Sequence, residues 1–406
     1  MIFEKDELKI LWPFYLNKFL IACFFFIAAF WVVYFNDIGL NFKQISIILT
    51  VFFTGSLLFE IPTGAFADAY GRKASVIIGN LGIGIALFLI PYFNSFFHVL
   101  FLMLMWGISA TFISGAEEAW VIDLLKTNKK KKLIKDYFIK TGSLSSLGLI
   151  IAGIIGSIFV KYLGLKSIWT VSGLIVLIST LFLLKPNDTL KRKTPQIKKL
   201  YSEINKNVIS SIKFGVKHPV LFYLILASIF FEFAMITEVA WQPFFRTLNI
   251  PIYVFGYIMS GSAVLLVVTP FLSKPLLSLI KKENIYLAVM SLINSLILIS
   301  VILVVRPSSG ILLFLLSVIP NSLKYSVEAD YFNEFIPNKI RASVISFKYM
   351  VIGVTVSFAM LVSGPLLDYL GPKITLMITG FLMIPSVIFY SMVSSRENEK
   401  IMKRGL

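Results

Sequence analysis

The sequence predicts an all-α polytopic membrane protein with twelve transmembrane helices in two six-helix halves. Three observations carry that expectation. Hydrophobic residues fill 57% of the 406 positions against 15% charged, with a mean hydropathy of +0.86. The apolar residues gather into long runs, and the basic residues concentrate in alternate gaps between them. A soluble globule of this composition would lack the polar surface to cover itself. In lipid each segment has to satisfy its own backbone hydrogen bonds, and a hydrocarbon core about 30 Å thick calls for roughly 20 apolar residues per helix.

The runs predict helices over 10–35, 42–66, 74–93, 96–125, 136–163, 165–184, 219–245, 251–280, 285–305, 311–335, 342–370 and 373–394. Several are long enough to tilt or protrude. The division that follows is a first six-helix bundle at 1–184, a basic linker at 185–218, a second bundle at 219–394 and a tail at 395–406. The first run is too long for a signal-peptide core, lacks a small-residue cleavage pattern and follows Glu4, Asp6 and Glu7, so it reads as a retained span.

Charge then orients the chain. Of 38 Lys and Arg, 27 lie in the N-terminal segment, in the gaps at 67–73, 126–135, 185–218, 281–284 and 336–341, and after 394. The intervening gaps hold six: Lys43, Lys161, Lys166, Arg246, Arg306 and Lys373. This positive-inside distribution places both termini and the central loop in the cytoplasm. It also explains the net charge of +17 without nucleic acid. Anionic lipid headgroups are the expected partner of the linker.

The missing chemistry narrows the function. Cys23 is the single cysteine, which excludes an intramolecular disulfide and a cysteine metal cluster. His98 and His218 fall in loop regions on opposite sides, and Gly82 and Gly84 lie in an apolar run rather than a phosphate loop. No cofactor, metal or enzymatic constellation is expected. Energy has to come from a solute or ion gradient, with the proton as the expected coupling ion.

The halves echo one another. Lys161 to Lys166, followed by Gly173, matches Asp368 to Lys373, followed by Gly380, at an offset of 207. Ala116 to Ala119, with Asp123 beyond, matches Ser326 to Ala329, with Asn333 beyond, at 210. Nearly equal offsets in consecutive segments point to a duplicated six-span unit, and a pathway between two such units would provide alternating access.

Between the second and third runs stand Gly64, Asp68, Gly71, Arg72 and Lys73. Gly64 and Gly71 permit close helix approach and a tight reversal. Asp68 could accept hydrogen bonds at a neighbouring helix N-terminus. The planar fork of Arg72 suits a carboxylate, and Asp123 is the candidate. Such a cluster can latch one conformation and release in another; a topology signal with a helix-turn stabiliser is the alternative.

These residues resemble the signature loop of the major facilitator superfamily. Glu60, Pro62 and Thr63 before the loop, Glu117 to Asp123 in the fourth span, and the stretch from Arg341 to Ser346 entering the eleventh resemble a branch containing many drug exporters. The likeness covers essentially the whole chain. It implies a gating charge network at Asp68, Arg72 and Asp123, a functional monomer, and residence in a bacterial plasma or inner membrane. Two features depart from proton-linked drug antiporters: the span 96–125 holds no arginine, and the fifth span has Gly148, Gly153 and Gly156 but no proline.

An ionisable side chain inside hydrocarbon costs about 2.5–3.5 kcal/mol even on insertion scales, so it should face a cavity, a partner or the interface. Glu232 follows Pro219 by 13 residues, roughly 20 Å along the seventh span and close to the midplane. A proton and a cationic partner would compete for such a carboxylate, in a substrate-binding, proton-coupling or structural role. Glu238 lies farther outward, toward an external vestibule. In the tenth span Lys324 and Glu328 share a face at four-residue spacing, with Asp330 beyond, and Lys324 could pair with Glu328 or meet Glu232. Glu118 is expected on the central face as the repeat mate of Glu328. Glu117 is expected to meet the second span or a water pocket, with Glu60 in the same inner network. Among the aromatics, Trp31, Tyr34, Trp106, Trp120 and Trp241 have polar edges suited to interface anchoring or to a cavity for lipophilic cations.

The leading functional expectation is a secondary active exporter of amphipathic organic compounds or drugs, working by proton antiport. The alternatives are a proton-coupled importer or exchanger of a small metabolite, and a nontransporting membrane sensor. A small-molecule substrate and membrane lipids are the expected partners.

Overall fold

The computed structural model describes residues 5–188, 214–215, 217–338 and 340–393. Most of the expected linker and all of the expected tail lie outside the described residues. Within them the chain forms helices and no strand. In order these are α1 (Lys5–Cys23), α2 (Trp31–Asp37), α3 (Phe42–Tyr70), α4 (Arg72–Leu89), α5 (Phe96–Ile113), α6 (Ala116–Thr127), α7 (Leu133–Leu163), α8 (Lys166–Phe182), α9 (Pro219–Phe231), α10 (Ile236–Thr247), α11 (Val254–Val268), α12 (Ser273–Ile280), α13 (Glu283–Ser300), α14 (Pro307–Glu334) and α15 (Arg341–Met392).

Joined across short breaks, these helices make ten segments long and apolar enough to cross a membrane, from Glu7–Ala29 to Arg341–Met392. The protein is a multi-pass membrane protein. Helix α8 is apolar but only 17 residues long. The 52-residue α15 contains Gly371 at φ 74° and ψ 168°, a backbone turn that separates the stretches before and after it.

Four expected helices are interrupted where side chains compensate or the backbone demands it. The first breaks after Cys23 into a 3-10 turn at Phe26–Ala29, and Ser172 Oγ donates to the Phe24 carbonyl at 2.6 Å. The fourth breaks at Gly115, whose φ of 67° suits glycine. The seventh breaks at the 3-10 turn Glu232–Met235, where Thr237 Oγ1 donates to the Ala234 carbonyl at 2.7 Å. The eighth breaks around Pro270, which has no N–H to give, and Ser273 Oγ donates to its carbonyl at 2.6 Å. A break leaves backbone groups that lipid could not satisfy, and at three of these four a nearby hydroxyl takes that role.

The Cα positions divide into two compact units, one of Met1–Ile197 with Pro251–Ala263 and one of Lys198–Ile250 with Val264–Leu406. The first unit's core holds Leu11, Phe14, Trp120, Val121, Leu133 and Tyr137. Within this unit Gly153 and Gly256 bring α7 and the start of α11 into backbone contact, so that a Cβ on either would overlap the other's carbonyl oxygen. Ser260 Oγ seals the crossing by donating to the Ile150 carbonyl at 2.6 Å. The second unit's core holds Leu221, Leu224, Tyr286, Leu323, Phe335 and Tyr390.

Candidate functional site

The second unit buries four charged side chains together. Helix α9 starts at His218, whose ring accepts from the Leu221 amide, and Pro219 at the first helical position. Its end at Phe231 leaves Glu232 on the 3-10 turn, 5% exposed. Helix α14 presents Lys324 and Glu328 on one face, 0% and 3% exposed. Helix α15 adds Lys348, 8% exposed, and Tyr390.

Glu328 is the hub. Its Oε2 lies 2.7 Å from Lys324 Nζ. Its Oε1 lies 3.1 Å from Lys348 Nζ and accepts from Ser228 Oγ at 2.5 Å and from the Tyr390 hydroxyl at 3.1 Å. The lysines are also cradled by rings: Lys324 Nζ stands 3.8 Å from the Phe231 centroid and 4.4 Å from Tyr325, and Lys348 Nζ 4.4 Å from Phe332. Glu232 is held differently, accepting one hydrogen bond at 2.9 Å from the Tyr325 hydroxyl. It feels the Lys324 charge without an ion-pair contact among the described residues. Ionised, the four groups sum to zero, which is what makes their joint removal from water tolerable. Chemically the arrangement contains one saturated carboxylate and one held only by a hydroxyl.

The first unit carries its own pairs. Lys18 Nζ on α1 lies 2.9 Å from Glu117 Oε2 on α6. Glu7, fully buried, takes Lys140 Nζ at 2.6 Å and the Tyr15 hydroxyl at 2.5 Å. Arg72 Nη1 donates to Asp123 Oδ2 at 2.5 Å and to the Ala119 carbonyl at 2.7 Å. Gly71 makes the preceding reversal at φ 110°. Lys73 Nζ holds the Leu184 and Pro186 carbonyls at 2.6 and 2.8 Å, and Trp120 Nε1 donates to the Asn187 carbonyl at 3.1 Å.

Several expected placements change. Glu117 rather than Glu118 is the buried acid, and it meets α1 rather than the second span; Glu118 is half-buried. The cause is a one-residue shift in the repeat. Core residues Trp120, Val121, Leu124 and Leu133 correspond to Tyr331, Phe332, Phe335 and Val344 at an offset of 211, not 210. Asp68 and Glu60 are exposed and make no ion pair among the described residues. Gly64 faces open space, so no close packing depends on it. Of the two partners left open for Lys324, the structure shows Glu328, as the four-residue spacing allowed. Glu238 and Asp330 are exposed and outside the cluster. Arg341, also exposed, reaches the Ile336 carbonyl at 3.4 Å and makes no ion pair among the described residues. Trp31 and Tyr34 are 8% and 1% exposed rather than anchored at an interface, and Tyr34 packs on Trp169 at 5.3 Å.

Lys18, Lys140 and Lys348 were not singled out by sequence reasoning, nor were Ser228, Tyr325 and Tyr390. A signal existed for the lysines. After the loop and terminal residues are set aside, Lys18, Lys140, Lys274, Lys324 and Lys348 remain inside the apolar runs. The hydroxyl partners carry no such mark, because serine and tyrosine are ordinary in spans.

Helices long and apolar enough to cross a bilayer many times, packed around buried and mutually compensated charges, define a polytopic membrane protein, and the family it matches makes it a transporter. The sequence pattern of the Major Facilitator Superfamily matches residues 14–347, and the chain belongs to that family. It is 24% identical over 389 residues to an uncharacterized MFS-type transporter, YxaM, of Bacillus subtilis (strain 168), covering 91% of this chain and 92% of that one. Among solved structures it resembles the nucleoside transporter NupG, with a TM-score of 0.77 at 14% identity over 94% of this chain and 98% of the other. It also resembles a D-xylose-proton symporter, with a TM-score of 0.69 at 13% identity over 94% and 98%. At these identities the structural likeness speaks for the fold alone.

Proposed function

We propose that this chain is a proton-coupled secondary active transporter of organic solutes, acting by alternating access, with Glu232 as the group that exchanges the proton. One observation carries the proposal. Glu232 is buried on a break in its helix and held by a single hydroxyl, while Lys324 and Lys348 are committed to Glu328. A carboxyl held this loosely can trade a proton for a cation or a rearranged hydrogen bond at lower cost than one with four partners. The coupling ion has a precedent on this fold in the D-xylose-proton symporter. Counting α8 and the two stretches divided by Gly371, the reading takes twelve spans in all, with both termini in the cytoplasm of a bacterial plasma or inner membrane and a monomer as the working unit. Arg72 and Asp123 would form the gating latch.

Export of amphipathic organic compounds by proton antiport rests on the resemblance of Glu60, Pro62 and Thr63, of Glu117 to Asp123 and of Arg341 to Ser346 to the drug-exporter branch, and on the aromatic rings around the cluster. A second reading, exchange or import of a small anionic or zwitterionic metabolite, is favoured by the two buried lysines, because with Glu232 protonated the cluster carries a net positive charge that would repel a cationic solute. Reconstitution into sealed vesicles tests both. An imposed pH gradient should drive solute flux in the wild type and not in Glu232→Gln expressed at equal level. Undiminished proton-driven flux in that variant refutes the role of Glu232, and a screen of cationic against anionic solutes separates the two readings.

A further inference from the structure

Glu117 and Glu328 occupy one position of the internal repeat, 211 residues apart, as do their core neighbours Leu124 and Phe335. Along α1 and α9 the offset is 210, since Leu11 and Phe14 match Leu221 and Leu224. Lys18 therefore stands where Ser228 stands, and each touches its own unit's carboxylate, at 2.9 and 2.5 Å. Tyr137 stands where Lys348 stands.

The two carboxylates differ in how fully they are satisfied. Glu328 has Lys324, Lys348, Ser228 and Tyr390 on its two oxygens. Among the described residues Glu117 has Lys18 on Oε2, while its Oε1 is buried without a hydrogen-bond partner. The Tyr137 hydroxyl and Asn17 Oδ1 are buried and unpartnered too. These three residues are 2%, 1% and 1% exposed. Tyr137 lies within the electrostatic reach of Glu117 and packs its ring on Tyr15 at 5.6 Å.

An ionised carboxylate only accepts hydrogen bonds, whereas a protonated one also donates. A proton on Glu117 would neutralise a carboxylate whose Oε1 receives no donor among the described residues. It would also remove the counter-charge of Lys18, whose side chain is 29% exposed against 2% for Glu117. Lys18 is thus the more accessible member of the pair. Of the remaining charged and titratable neighbours, Glu118 on the same helix adds a like charge within electrostatic reach of Glu117, while Tyr15 and Lys140 are engaged with Glu7, and Arg72 from α4 with Asp123.

We infer that Glu117 is a proton-binding site of the first unit, distinct from Glu232, and that filling it sets the Lys18 ammonium free. The role of this site in transport rests on the proton-coupled reading above; the protonation itself does not. Infrared difference spectra of the purified full-length protein in vesicles, acid minus neutral, read it directly through the protonated-carboxyl stretch. The wild type should show a band that Glu117→Gln lacks and Glu232→Gln keeps, which separates this site from the one proposed above. Lys18→Gln, which leaves the acid in place, should also lose the acid-minus-neutral change, because the ammonium that favours the ionised form is gone. A Glu117→Gln spectrum identical to that of the wild type overturns the inference, and so does a Lys18→Gln spectrum that keeps the wild-type change.

Discussion

Replacing Glu328 by glutamine removes one charge and exposes what the cluster costs. The lysines it neutralises are 0% and 8% exposed, so neither can turn to water for compensation. Removing one partner of a buried ion pair costs about 3–5 kcal/mol, chiefly because a charge is left uncompensated. Glutamine keeps a carbonyl for Ser228 and Tyr390, so their hydrogen bonds weaken without vanishing, and the estimate stays in that range. If the whole loss falls on the unfolding barrier, the folded lifetime at a fixed elevated temperature shortens by roughly two to three powers of ten. The assay is the fraction of protein that remains monodisperse in detergent as a function of heating time. Glu232→Gln is the internal comparison, since it keeps an acceptor for the Tyr325 hydroxyl and breaks no ion-pair contact among the described residues, so it should cost less than Glu328→Gln. A triple variant with Lys324→Met, Lys348→Met and Glu328→Leu, made in the Glu232→Gln background so that no buried carboxylate is left without a counter-charge, removes all four charges and should recover most of the lifetime. If Glu328→Gln survives heating as long as the wild type, or if the triple variant is less stable than Glu328→Gln, the charges are not mutually compensating as described.

Two further outcomes follow from other places in the fold. His218 accepts from the Leu221 amide through Nδ1 at 3.4 Å, and partial burial holds its pKa below the ordinary value. Its contribution to stability is present above about pH 6.5 and lost as pH falls through the depressed folded value. Thermal stability should therefore drop between about pH 7 and about pH 5, and His218→Asn, a cap that does not titrate, should flatten that slope; an unchanged slope contradicts the assignment. At the α7–α11 crossing, Gly256→Leu would drive a side chain into the Gly153 carbonyl and Ser157 Oγ, costing about 1–3 kcal/mol by overpacking. A heated lifetime equal to that of the wild type would show that the two backbones do not meet there.

How much could be read in advance varied with the kind of feature. The spans were legible because a segment facing lipid has to carry its apolar residues in its own sequence. The breaks within them were legible only in part. Pro270 and Gly115 announce a disturbed helix, whereas the turns at Phe26 and Glu232 carry no such residue and rest on hydroxyls from elsewhere in the chain or one turn on. The pairing of Arg72 with Asp123 followed from complementary chemistry at the same end of neighbouring helices. The partner of Lys324 did not, because Glu328 and Glu232 were equally compatible with the spacing. The repeat was visible, yet its register slipped by one residue where Glu117 and Glu118 stand side by side, and adjacent positions on a helix point about 100° apart. That single step decides which acid is buried.

Hydropathy and charge asymmetry along the chain were enough to settle the solvent, the kind of secondary structure and the existence of a duplication, since each is written in local composition or in residues a fixed distance apart. Which ions neutralise one another was beyond their reach. Lys348 and Tyr390 come to Glu328 from another helix, and Lys18 comes to Glu117 from 99 positions away. Those encounters depend on how each helix is rotated about its axis against its neighbours. That rotation is set by packing of the whole unit, which no segment records on its own.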